Sequence, residues 1–487
     1  MTHPSSQARE TEAGAIGTPA VVVAALGLLL VLFLRLGMNG FPAPVADEGG
    51  WPFSVRLWVT QGLRTPDYYV APGYHWLLAI PFRLFGPTLQ VARLTSSVVG
   101  LGWLALFYAI ARRSGFDRTA AFWAVMVLGT SYQGVNLDRR ALMEPFQIFG
   151  MLALVWFYLR PATTGNLIAI ALCTTGLLLT KMSAIFLPPA LVVASLWEQP
   201  GEPSAPRRNR YIALAVGIAV ACAVFGGLYL SDPVTFASGW FPTLTLEVVK
   251  RSRFFIGIGR FGLDPVTAFN TLQQMTYDEP LLFAFGLAGM LKALIGRRQT
   301  TMAFWLLAGA TFLFLQALVL DNHLVVLLPA TAFLTVWLLT ELKSGTSTIG
   351  VGRLRFGWPG LCLLGQVLYG TVRLMGVKAT TSDPAGEAVA WLQTHSKKTD
   401  IVAAAPMILM QLEAQPVAFF KFQPPYLPAP DKIHGTPAVT WILFDHQEWG
   451  GYVRKSGVSP AEAAEVFSAC CDSVFVTPGA TVFKVRD

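Results

Sequence analysis

The sequence predicts a polytopic α-helical membrane protein that ends in a small α/β domain, and three observations predict it. Hydrophobic residues fill 54% of the 487 positions and charged residues only 13%, with a mean hydropathy of +0.52; a soluble domain carries roughly 25% charged residues. Apolar runs near the ~20 residues that cross a bilayer recur along the chain. After Met375 the pattern changes to short helical stretches alternating with strand-like ones.

About eleven apolar runs qualify as spans: residues 19–36, 91–111, 119–135, 141–159, 167–180, 182–197, 211–230, 280–295, 302–320, 324–342 and 358–375. The fifth and sixth are short and form either two full spans or a shallow hairpin; the parity is the same either way. Residues 1–18 lack the short apolar core and cleavage site of a signal peptide, so they read as a cytoplasmic tail before a retained first span. With the N-terminus inside, every inner loop is basic: Arg112, Arg113 and Arg118, then Arg160, then Arg207, Arg208 and Arg210, then Arg297 and Arg298, then Lys343, Arg353 and Arg355. That is the positive-inside pattern, and it places residues 377–487 outside the cell inner (plasma) membrane. The net charge of +8 and pI near 9.3 are then a record of topology, with no call for nucleic acid.

Two long outer connections, 38–90 and 231–279, are of a length that is often functional. Within the first, the aromatic-rich stretches 51–63 and 74–85 suit helices lying at the interface, punctuated by Pro66, Pro72 and Pro87. The outer domain reads as helices at 384–395 and 460–467 with strands at 401–404, 438–444, 473–476 and 481–485.

Polar residues gather at the outer ends of the spans. Asp47 and Glu48, in ADEGGWP, follow the first span. A carboxylate partly withdrawn from water has its pKa raised toward the range of a general base, whereas a solvated loop pair or helix cap is the plainer role. Arg93, Arg139, Arg140, Lys181 and His323 stand where the positive-inside rule does not ask for cations. Together they suit a phosphate or pyrophosphate, with Arg as a bidentate donor and Lys as a point charge; the alternative is snorkelling toward the headgroups of membrane lipids. Glu144 is spaced to pair with Arg140 at i,i+4. Lys250, Arg251, Arg253 and Arg260 form a further basic cluster in the second long loop, which Tyr277, Asp278 and Glu279 end.

Other chemistry has little support. His75 sits in an aromatic segment, and His395, His434 and His446 are scattered, with no Cys or His spacing of a metal site. Of five cysteines, Cys173, Cys222 and Cys362 lie in apolar runs and Cys470 and Cys471 are adjacent, so no disulfide framework shows. Neither GxxxxGK[ST] nor GxGxxG occurs, nor GxSxG or HExxH.

The stretches ADEGGWPFSVRLWVTQG, APGYHWLLAIPFRLFG and VARLTSSVVG, in that order, resemble the first outer loop of membrane glycosyltransferases of the protein O-mannosyltransferase and aminoarabinose transferase (ArnT-like) type, a glycosyltransferase family 39-like group with the GT-C fold. DRRALMEPFQIFGMLAL, GLLLTKMSAIFLPPA and DNHLVVLLPATAFL resemble its later elements, and the likeness covers about residues 19–342. It implies a GT-C domain over 19–376. By the same resemblance Asp47 matches the catalytic acid with Glu48 its neighbour, Arg93 the arginine entering the second span, Arg140 and Glu144 the second-loop pair, and Lys181 the family lysine; Tyr74 and His75 fall in the aromatic segment as supporting residues. Ala71 stands for a usual Lys, Gly73 for a second Pro, Met182 for a Gly and His323 for an Arg-like residue.

The resemblance implies a sugar donor carried on polyprenyl phosphate and an acceptor that is a lipid, glycan or protein. It names no certain cofactor, and a divalent metal at the carboxylate pair is compatible with the fold. Two other classes compete. A lipid-linked-sugar transporter or flippase would place ionisable groups near the bilayer midplane, where these spans are almost free of charge. A non-catalytic lipid-binding relative would tolerate replacement of Asp47.

Overall fold

The computed structural model describes residues 18–37, 46–61, 72–198, 204–231, 273–274, 276–314, 324–342, 348–351, 354–380, 385–397, 399–404, 408, 410–412, 417–419, 439–446 and 471–486. His323, His434, the 250–260 basic cluster and the 460–467 helix expected from the sequence lie outside these residues.

Each apolar run falls on helix as far as it is described. α1 (Thr18–Leu32) continues into a π-helical turn, Phe33–Gly37. α2 (Ala46–Gln61) and α3 (Gly73–Phe85) occupy the first long connection, and α4 (Leu89–Arg113) follows. Thr88 starts α4 by accepting from Val91 N at 3.1 Å, and Arg112 and Arg113 end it where cations suit the helix dipole.

The run 119–135, expected as one span, is two helices: α5 (Arg118–Gly129) and α6 (Tyr132–Asp138). Ser131 breaks it. Its backbone leaves the helical region and its hydroxyl accepts from Gly134 N at 3.1 Å, which starts a new helix instead of extending the old one. The next run likewise begins late, as α7 (Glu144–Tyr158), with Pro145 in its first turn where a missing N–H costs nothing. α8 (Thr164–Thr180) ends at Lys181, whose extended backbone separates it from a 3₁₀ turn (Met182–Phe186) and α9 (Leu187–Trp197).

The bundle is completed by α10 (Ser204–Ser231), α11 (Pro280–Gly296), α12 (Thr300–Phe314) and α13 (Leu328–Leu342), the last preceded by a 3₁₀ turn, Val325–Leu327. A hairpin, β1 (Thr348–Val351) with β2 (Leu354–Gly357), was not expected and leads into α14 (Trp358–Thr380). Among the described residues four helical stretches are long and apolar enough to cross a membrane unaided, at 89–113, 205–228, 325–342 and 358–377. The third is 83% buried, which makes it the axis against which α5, α11 and α12 pack.

After α15 (Gly386–His395) comes a mixed five-stranded sheet: β3 (Ile401–Ala404), β4 (Val417–Phe419), β5 (Val439–Asp445), β6 (Cys471–Val476) and β7 (Ala480–Val485), in the order β4-β3-β5-β7-β6. β3 runs parallel to β4 and β5, while β7 is antiparallel to both its neighbours. The sheet shares a core with α2 and α3. Phe53, Val55, Tyr74, Leu78 and Phe82 of α2 and α3 belong to one buried apolar cluster with Ala388, Leu392, Val402, Trp441 and Val482, and Arg56 Nη1 donates to Leu412 O at 3.2 Å.

Candidate active site

Asp47 and Glu48 stand in the first turn of α2, so the pair belongs to a helix and not to a loop. Further along α2, Phe53 and Val55 are buried against the cluster that holds Tyr74, Ala92, Ala141, Met143 and Phe146. That packing sets α2 beside the first turn of α4, which bears Arg93, and beside residues 139–144.

Arg139 is the cap residue ending α6, and it is buried. Its Nη1 donates to Leu34 O at 3.0 Å and Arg35 O at 2.9 Å, giving partners to carbonyls at the end of the first membrane helix. Burial first and the charge of Arg93 second pull its guanidinium down to about 10, still cationic at neutral pH. The two arginines expected at one site are therefore close enough to repel.

Beneath them lies an ion pair that the sequence reasoning missed. Arg35 Nε meets Asp138 Oδ2 at 2.8 Å with both side chains at most 1% exposed, and Trp103 Nε1 donates to Asp138 Oδ1 at 3.0 Å. Arg35 also donates to Gly129 O, and Ser97 Oγ donates to Asp138 O at 2.9 Å. The spans are thus not free of charge. An arginine in the apolar run 19–36 was the available signal, because a buried intramembrane cation implies a partner.

Glu144 forms an ion pair across helices, with Lys181 Nζ at 2.5 Å, a partner that the i,i+4 spacing did not suggest. Lys181 is held by the helix break described above. The α3 terminus reaches it through Gly73, where a Cβ would lie 2.7 Å from Leu179 O; this close backbone approach explains glycine in place of the family's proline. Tyr74 next to it is fully buried, donates to Ala141 O at 2.9 Å and meets Phe146 edge-on at 5.4 Å, while His75 is buried beside it. Tyr74 thereby ties α3 to the 141–144 turn. Gln147 Nε2 donates to Ser183 Oγ at 3.2 Å across the same junction.

A second polar centre was read in the sequence only as the end of a loop. Glu279 Oε1 accepts from Ser131 Oγ at 2.8 Å and from Gln133 N at 3.2 Å, and Oε2 accepts from Gln366 Nε2 at 2.7 Å. Fully buried Asp278 pairs with Arg373 and accepts from the amides of Gln133 and Gln274. Arg373 lies over the rings of Tyr132 at 4.4 Å and Tyr277 at 4.3 Å. A part-open cavity beside the pair is walled by Leu282, Phe283, Leu324 and Leu328.

Burial pushes the Glu279 carboxyl up to about 7 from 4.5, against the opposing hydrogen bonds from Ser131 and Gln133. A native pKa above the unfolded one means that the folded state holds the extra proton between those values. The group thus favours folding at acid pH, and that contribution, about 3 kcal/mol, is lost as pH rises through about 7. Glu279→Gln is expected to raise the thermal midpoint above pH ~8 and to leave it unchanged below pH ~5. Equal shifts at both pH values in a thermal melt would contradict this.

Among the described residues no group of three or more His, Cys, Asp or Glu is placed to hold a metal ion. His395 stacks on Trp391, and His446 bonds Pro478 O and Thr481 Oγ1, so neither approaches the site.

This arrangement has relatives. A family model described as dolichyl-phosphate-mannose-protein mannosyltransferase matches residues 69–225, the segment from α3 through α10. The structure of ArnT from Cupriavidus metallidurans bound to undecaprenyl phosphate superposes with a TM-score of 0.68 at 16% identity, covering 96% of this chain and 98% of that one. The chain has the GT-C fold. As a GT-C chain it is a multi-pass membrane protein. Archaeal oligosaccharyltransferase AglB from Archaeoglobus fulgidus, in complex with an inhibitory peptide and a dolichol-phosphate, shares the GT-C fold more distantly, with a TM-score of 0.51 and 14% identity over 87% of this chain and 69% of that one. No curated protein matches by sequence.

Proposed function

We propose that this GT-C chain transfers a sugar from a polyprenyl-phosphate donor to an acceptor hydroxyl or phosphate on the extracytoplasmic face of the membrane. One observation carries the reading. α2, whose first turn carries Asp47 and Glu48, is packed through Phe53 and Val55 on the apolar cluster that also holds Ala92, Ala141 and Met143, the chain neighbours of Arg93, Arg140 and Glu144, and Glu144 is paired with Lys181. In the proposed site a carboxylate of α2 and these cations supply the two halves of a displacement at an anomeric carbon. The undecaprenyl phosphate on ArnT and the dolichol-phosphate on AglB support a lipid-borne donor here.

In the proposed reaction Asp47 takes the proton of the acceptor hydroxyl as its oxygen attacks the anomeric carbon. The bond from that carbon to the phosphate oxygen breaks, the centre inverts, and the electron pair leaves with polyprenyl phosphate. Arg93, Arg140 and Lys181 meet the charge developing on the phosphate, with Arg139 adding to the field and His323 completing the set. Glu144 holds Lys181 in place. Residues 377–487 form an extracytoplasmic domain over the site, and no step is routed through a metal.

The test is transfer by purified, reconstituted protein from a panel of polyprenyl-phosphate sugars to a membrane extract, followed by mass spectrometry. Donor consumption with a glycosylated product is the expected result, and Lys181→Met is expected to raise the donor KM more than it lowers kcat. Lipid bound or moved with no donor cleaved across the panel would replace this reading with the transporter one.

A further inference from the structure

We infer that Glu279 is a positioning residue for the cationic end of the site, acting through α6 and operated by a proton shared with the amide of Gln366. The inference rests on the reading of Arg93 and Arg139 as phosphate-binding groups.

The seven residues of α6 span about 10 Å at ~1.5 Å per residue. Both ends are fixed. Asp138 is paired with Arg35 at the C-terminal end, immediately before Arg139 and Arg140. At the other end Glu279 holds Ser131 and the Gln133 amide N–H, while Asp278 holds the Gln133 side chain. Arg139, held on its own side by the carbonyls of Leu34 and Arg35, thus ends a helix whose other end is held by Glu279.

Gln366 adds the second observation. Its Nε2 donates to Glu279 Oε2, yet its Oε1, in a residue only 2% exposed, has no donor. A buried acceptor left without a donor is unfavourable. Turning the amide over gives that oxygen a donor if Glu279 is neutral: the carboxyl O–H then donates to Gln366 Oε1, and the Gln366 NH2 moves to the place that Oε1 now occupies. Both forms keep the bonds from Ser131 and Gln133 to Oε1 of Glu279. The charged form takes Gln366's amide hydrogens, and the neutral form gives Gln366 a proton.

The surroundings do not hold Glu279 permanently charged. Facing it are Asp278, Tyr277 and Gln274 on its own segment, Ser131, Tyr132 and Gln133 at α6, and Gln366, Tyr369 and Arg373 on α14. Arg373 is the cation among them, and it is committed to Asp278. The elevated carboxyl described above agrees. Deprotonation places a second negative charge one α6 length from Arg93 and Arg139, which weakens their hold on a phosphate.

The experiment compares wild type, Glu279→Gln and Glu279→Ala in proteoliposomes across pH ~6 to ~8, reading donor KM and kcat, the affinity for polyprenyl phosphate alone, and the infrared band of protonated carboxyl. The wild-type donor KM and the lipid-phosphate Kd are expected to rise about two- to tenfold across that range. The Gln variant should stay flat at the acid-side value with kcat retained, and the Ala variant should lose most of kcat. A Gln variant that titrates like wild type, or an infrared band unchanged by Glu279→Gln, overturns the proposal. Failure of transfer on every donor, with a pH-dependent lipid-phosphate affinity that Glu279→Gln abolishes, supports the positioning role and rejects the transferase reading.

Discussion

Asp47→Asn is expected to lower sugar transfer by about 10²- to 10⁴-fold, the usual worth of a general base, while leaving polyprenyl phosphate binding near the wild-type value. The asparagine keeps the size of the side chain and removes its ability to take the acceptor proton. Binding of the lipid phosphate should survive because Arg93, Arg139 and Lys181 are seated by other contacts: Arg139 by the end of the first membrane helix and Lys181 by Glu144. Asp47→Glu is expected to be nearly as damaging, since moving the carboxylate by one methylene upsets the alignment with the anomeric carbon. Wild-type turnover in Asp47→Glu, measured as product formed per donor consumed, would remove Asp47 from the role of base. Glu48→Gln and Glu48→Asp should cost far less, and a reversed ranking would transfer the role to Glu48.

Replacing Arg35 by Met is expected to be the most damaging single change to stability, at about 3–5 kcal/mol. It would leave the Asp138 carboxylate at 1% exposure facing an apolar group, with the Trp103 indole N–H still donating to it and Ser97 bound only to its backbone carbonyl. It would also leave Gly129 O without the donor it now has at the end of α5. Pairing the change with Asp138→Asn removes the buried charge while keeping an acceptor for the Trp103 indole, so the double variant should recover most of the loss. Thermal unfolding in detergent, read by tryptophan fluorescence, checks both. A double variant no more stable than Arg35→Met would mean that the pair holds the helices by geometry and not by charge balance.

Much of the architecture was legible because its signals are local. Apolar runs gave the helices, alternation gave β3, β5 and β7 nearly to the residue, and the aromatic segments at 51–63 and 74–85 became α2 and α3. What escaped depends on single residues or on distant partners. Ser131 breaks a run that hydropathy reads as continuous. Glu144 answers to Lys181, thirty-seven positions away, and no spacing rule within one helix reaches that far. Arg35 and Asp138 are 103 positions apart, and each by itself reads as an exception to its surroundings. Glu279 was visible only as the last residue of a loop, because its partners Ser131 and Gln366 come from two other parts of the chain. Gly73 looked like a departure from a family pattern until the backbone of Leu179 was found against it.

The shared core between α2, α3 and the C-terminal sheet has a consequence for biosynthesis. Chains fold as they are made, N-terminal parts first, yet Phe53, Val55 and Tyr74 find part of their buried surroundings in Leu392, Val402, Trp441 and Val482. The wall of the proposed site that α2 forms is therefore finished by residues made some three hundred positions after it. An incomplete chain can insert its membrane helices and still lack a firmly seated α2. On the proposed function, competence then arrives late, after the sheet has been made, and a chain cut short before the sheet would be embedded in the membrane but idle.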